Sequence, residues 1–114
     1  MIAVPLGKQA VTTAGTPVSI TAAALATACT AAGATLPNSG LVHKIEAWAD
    51  TSDTGISFVK GAGGVKIACL PVPSGGHCEH WQMAARQGNW LNVLAFQWDN
   101  SINGDGPFVT VYVE

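Results

Sequence analysis

Hydrophobic and polar positions alternate along much of this chain, and clusters of Gly, Pro, Asn, Asp and Ser break the alternation. Successive side chains on a strand point to opposite faces, so the pattern predicts half-buried β-strands bounded by turns. Residues 9–13 and 16–20 alternate on either side of Gly15 and read as two short extended pieces. Within 41–50, Leu41, His43, Ile45, Ala47 and Ala49 share one face, and Val42, Lys44, Glu46, Trp48 and Asp50 share the other. "TSDTG" then supplies turn chemistry. Strands follow at 56–60, at 65–70 after "KGAGG", and at 76–82 after "PVPSGG". Residues 90–98 are apolar on both faces, with Trp90, Leu94, Phe96 and Trp98 against Leu91, Val93 and Ala95. That is the pattern of a strand covered on both sides. Asn103-Gly104 and Asp105-Gly106 suit a turn with positive φ, which would return 108–113 as the partner of 90–98.

One segment departs from period two. Residues 21–33 are Ala-rich, with Thr21 placed to cap a helix and Gly33 placed to stop it, so at most one short helix or helical turn is expected there. The whole reads as all-β: an antiparallel sandwich, jelly-roll-like, of short strands with turns roughly every eight to twelve residues. It forms a single domain over 12–114. Residues 1–11 are expected to be an N-terminal arm, because Pro5 and Gly7 interrupt it and its order would come from a neighbour.

Composition changes the picture in one respect. The 114 residues suit one core, and 48% hydrophobic content is ordinary, but only 11% of residues are charged, against about 25% in an average protein. A surface built from Ala, Gly, Thr, Ser and Asn predicts a protein that lies against neighbours. Net charge is −2, and Lys8, Lys44, Lys60, Lys66 and Arg86 are scattered, so no basic stripe points to nucleic acid. The Ala-rich segment is too short and too rich in Thr to span a bilayer, and the start lacks the pattern of a signal peptide. Neither a nucleic acid nor a membrane is expected as a partner. Cys29, Cys69 and Cys78 are in no paired spacing, which fits a reducing cytosol, while a Cys69–Cys78 bridge stays open.

Candidate chemistry centres on His77-Cys78-Glu79-His80. On a strand, Cys78 and His80 share a face, and Cys69 becomes a third zinc donor only if its strand lies adjacent. The local ligand count falls short of a structural site, so these three are weak candidates and no metal or other cofactor is expected. No Gly-x-Ser-x-Gly elbow or phosphate loop is present, and His43 lies on an apolar strand face. Ser101-x-Asn103-x-Asp105-Gly106 mimics the start of a calcium loop, but Tyr112 stands where the bidentate Glu belongs. No enzyme is expected. Four tryptophans, Trp48, Trp81, Trp90 and Trp98, are many for this length. They fill a core, anchor a subunit interface, or stack on sugars as in a carbohydrate-binding module. Trp48, beside Lys44 and Glu46, is the one expected at a contact.

The stretches "AVTTAGTPVSI", "IEAWADTSDTGISFVKG" and "SINGDGPFVTVYVE" together resemble small virion proteins of tailed bacteriophages, the capsid decoration (cement) proteins and related head proteins. The resemblance covers most of the chain and lies in turn chemistry and strand pattern. It implies a β-rich, homotrimeric structural protein that is made in the bacterial cytoplasm. Such a protein binds the major capsid protein on the outer surface of the head and stabilises the shell. It carries no catalytic motif. Trp48, Trp90 and Trp98, with Ile2, Val4 and Leu6 of the arm, are the expected interface residues. A head-fibre, neck or tail component is the alternative within virions.

Overall fold

The computed structural model describes residues 1–35, 40–73, 78–86 and 89–113. Among these residues the protein is mostly β, with one α-helix. Its elements are β1 (Ile2–Lys8), β2 (Val18–Ser19), α1 (Ala22–Ala32), β3 (Leu41–Val42), β4 (Lys44–Trp48), β5 (Ser57–Lys60), β6 (Lys66–Leu70), β7 (His80–Ala84), β8 (Leu91–Asn92), β9 (Gln97–Asn100) and β10 (Phe108–Val113). One four-stranded sheet runs β1-β10-β4-β7 and a second runs β2-β9-β5-β6, while β3 and β8 form a separate pair. Every pairing is antiparallel.

Alternation builds the core. Val4, Ile45, Ala47, Val109, Val111 and Val113 from the first sheet meet Val59, Leu70 and Trp98 from the second in one buried cluster. Leu25 and Cys29, one turn apart on α1, close it where the helix packs on β1. The helix ends follow the sequence: Thr21 Oγ1 accepts from the Ala24 amide at 3.1 Å, and Gly33 takes the left-handed conformation at φ 71°. Among the described residues no helix is long and apolar enough to cross a membrane.

Several expectations are corrected. Residues 2–8 are no arm: they pair with β10 from Ile2↔Val113 to Lys8↔Phe108, and Val4 and Val11 are fully buried. β1 lies at a sheet edge, where the missing Pro5 N–H costs no ladder bond, and Gly7 at φ 79° takes up a bulge in the register. Residues 9–20 yield only the two-residue β2. The 41–50 alternation slips at His43, between β3 and β4, so that Val42 is buried along with Ile45 and Ala47. Residues 90–98 are not one strand. Asn92 accepts from the Leu94 amide at 3.1 Å and starts a helical turn over Val93–Ala95 that separates β8 from β9. β10 therefore does not return beside β9; it crosses to the first sheet and lies between β1 and β4.

Polar contacts hold the loops. Lys60 Nζ lies 2.7 Å from Asp99 Oδ2, while Asp99 Oδ1 accepts from the Gly15 and Asn100 amides at 3.0 and 2.8 Å. Asp105 Oδ2 accepts from the Thr54 and Gly55 amides at 2.8 and 3.1 Å, joining the β4–β5 turn to the β9–β10 loop.

Candidate functional site

Since one face of β1-β10-β4-β7 is spent on the core, the alternate residues form its outer face. The cross-strand register sets them in rows. One row runs Lys8, Phe108, Trp48, His80, and the next runs Pro5, Thr110, Glu46, Gln82. In the first row Phe108 is 43% exposed, Trp48 is 39% exposed, and His80 is exposed. The His80 imidazole stacks on the Trp48 indole with centroids 4.6 Å apart and planes 23° from parallel. Sequence placed both residues on strands, but only the register makes them neighbours.

Glu46 organises the middle of this face. One carboxylate oxygen pairs with Lys44 Nζ at 2.9 Å, and the other accepts from Trp48 Nε1 at 3.4 Å. The hydrogen bond from Lys44 is the main reason its carboxyl is held below the usual carboxylate range, with Trp48 and Tyr112 also contributing. Lys44 in turn lies over the Tyr112 ring, 5.1 Å from its centroid. An ionised acceptor is thereby fixed beside an aromatic row.

At the end of the same face a charged cluster ties β1 to the β4–β5 turn. Lys8 Nζ sits 3.0 Å from Asp50 and 3.5 Å from Asp53. Asp50 is held low, chiefly by its hydrogen bond from Lys8. Asp53 is pushed up, first by burial and then by the charge of Asp105; its side chain is almost wholly enclosed, and neither oxygen has a well-formed hydrogen bond. Lys8 therefore occupies the place between these carboxylates.

The expected site residues scatter. Trp98 and Val4 are fully buried core residues and offer nothing to a partner, which corrects their assignment to an interface. Leu6 is half-buried against the core, and Ile2 is 36% exposed at the sheet edge. Trp90, 43% exposed, packs 4.0 Å from the His43 ring, away from Trp48. Trp81 is half-buried and contacts Phe96. Cys69 is exposed on β6, Cys78 is half-buried, and His80 is engaged with Trp48. Both thiols are free, so the Cys69–Cys78 bridge is not formed. Among the described residues no three His, Cys, Asp or Glu converge as metal ligands, and His77 lies outside them. Sequence reasoning missed Phe108 and Glu46 as site residues; their signal was the alternation of 108–113 and 44–48, which puts each on the polar side of its strand. Compared with family models, with curated proteins and with solved structures, the chain matches none.

Proposed function

We propose that the two large sheets form a jelly roll, and that the protein is a capsid decoration protein binding the outside of a tailed-phage head as a homotrimer. The strand pairing supports the first part. β1 pairs with β10, β2 with β9, β4 with β7 and β5 with β6. Early strands pair with late ones in reverse order, as in one long hairpin bent into two four-stranded sheets. Jelly rolls have this eight-stranded form and recur in viral capsid and lectin domains. That link is by analogy of fold.

The observation that carries the structural role is the apolar edge of the second sheet. β6 is its outermost strand; Ile67 on it is 42% exposed, and Val65 and Val72, just before and after it, are 67% and 41% exposed. Proteins normally blunt such an edge with charge. Here Lys66, the charged residue on β6, is drawn over the Phe58 ring at 4.3 Å. Ile56 and Ile102 add a second exposed apolar pair, joined by the Ser101 amide bonding to the Ile56 carbonyl. With 11% charged residues overall, covering these patches desolvates little charge. Three linked copies gain avidity on a repeating shell. In this reading the protein is not an enzyme, and its partners are itself and the major capsid protein.

Native mass spectrometry together with co-sedimentation on undecorated phage heads tests the proposal. A trimer that pellets with heads supports it. A monomer that stays in the supernatant overturns it.

A further inference from the structure

Independently of the virion reading, we propose that the outer face of the β1-β10-β4-β7 sheet binds an uncharged oligosaccharide, with one sugar ring stacked on Trp48 and its hydroxyls held by the Glu46 row. A pyranose presents a face of C–H groups and a rim of hydroxyls. Its binding site therefore needs an exposed aromatic plane with hydrogen-bonding groups a few ångströms to the side.

The plane is Trp48. His80 covers one side of the indole, which turns the other side toward β10, where Phe108 stands exposed in the same row. The indole is also held at its nitrogen by Glu46. Its orientation is thus set before any ligand arrives, and less ordering cost falls on binding. The hydrogen-bonding groups are Glu46, Gln82 and Thr110, which lie side by side in the next row. Two residues along a strand advance about 6.6 Å, roughly the width of a sugar ring. A carboxylate, an amide and a hydroxyl can between them both accept from and donate to vicinal hydroxyls.

Two features favour a sugar over a protein on this face. Its outward positions in the paired rows hold no Leu, Ile, Val or Met, and their large apolar groups are all aromatic. The exposed aliphatic side chains lie off these outward rows: Met1 and Ile2 at the start of the edge strand β1, Ile67 on β6 with Val65 and Val72 beside it, and the loop pair Ile56 and Ile102. The charges are also spent internally: Lys44 on Glu46, and Lys8 on Asp50 and Asp53. A ligand that relied on charge would have to break those pairs, whereas an uncharged one would not.

The experiment uses the full chain on an array of neutral oligosaccharides printed beside sialylated and sulfated ones. Calorimetric titration with the strongest neutral binder follows. Expected is a dissociation constant of roughly 10 µM to 1 mM. Trp48→Ala should weaken it at least tenfold and Phe108→Ala several-fold, while Trp90→Ala, at the other exposed tryptophan, should leave it unchanged. Thermal melts check that each variant is folded, and Phe108→Ala carries the test if Trp48→Ala is not. The proposal is overturned if no neutral glycan binds, if only acidic glycans bind, if folded Trp48→Ala binds like the parent, or if Trp90→Ala loses as much. Measuring head binding on the same variants keeps this outcome separate from that of the decoration reading.

Discussion

Lys60 and Asp99 offer a quantitative test of what joins the second sheet to the loop before β2. Their 2.7 Å contact is almost fully enclosed, with side-chain exposures of 13% and 3%. Asp99 also accepts the Gly15 and Asn100 amides. Burial alone would raise its carboxyl, but Lys60 and the two amides outweigh burial and hold it below the usual range. Asp99→Asn keeps an oxygen for the amides and turns an NH2 toward the ammonium. Removing one partner of a buried pair costs about 3–5 kcal/mol. Lys60 is slightly exposed and can extend toward water, so the low end applies, about 3 kcal/mol. Lys60→Met leaves Asp99 its two amides and should cost about 2 kcal/mol. The double variant leaves no unpaired charge and should also cost about 2 kcal/mol, a coupling of about 3 kcal/mol. A domain of this size is stable by about 5–15 kcal/mol, so the Asn variant should melt roughly 12 °C lower. Urea denaturation of the four proteins at constant slope reads all of these values. If Asp99→Asn costs under about 1 kcal/mol, or the double equals the sum of the singles within about 0.5 kcal/mol, the pair does not hold the loop as argued.

Asp53→Asn should have the opposite sign. The native state holds the Asp53 proton to higher pH than the unfolded chain does. Stability is therefore lost as pH rises from the ordinary carboxylate range through the raised value. The variant should gain in urea midpoint at pH 7, with the gain shrinking below the ordinary range; a gain that is flat with pH refutes the titration account. Deleting residues 1–8 removes the β1 ladder and Val4 from the core, so the cooperative melt should be lost; an unchanged melt would restore the arm. At Gly106 a Cβ would run into the Gln9 carbonyl, and Gly106 is not in the left-handed region, so the cost is purely steric. Gly106→Ala should lose about 2–3 kcal/mol in chemical denaturation. Gly104→Ala, with open space but φ 88°, should lose only about 1 kcal/mol.

Local features were legible in the sequence where chemistry acts locally. Thr21 and Gly33 marked the helix because capping involves atoms three or four residues away, and Ser57–Lys60 and Lys66–Leu70 lay between recognised turns. Pairing was not legible. Nothing in the alternation of 108–113 says whether it lies beside β9 or between β1 and β4, since either sheet buries the same face. β1 was not legible because Pro5 and Gly7 count as breakers until the strand is known to be an edge. The 90–98 run hides its break because Asn92 fits a strand by pattern, while its side chain caps the next turn. For the candidate site, Trp48 stood out by type. Its companions His80, Phe108 and Gln82 come from strands that only tertiary pairing sets beside it.

The place of β10 bears on how the chain is made. It is synthesised after the other nine described strands, yet it lies second in the sheet, between β1 and β4. While it is still in the ribosome, β1 has no strand to pair with, and β4 has only β7. Val4, Ile45 and Ala47 then face water, together with the open backbone edges beside them. Folding therefore awaits the emergence of residues 108–113, and contacts between strands about a hundred residues apart form slowly. During that interval the nascent chain is a sheet with its middle missing, the form most open to pairing with another copy or to capture by a chaperone.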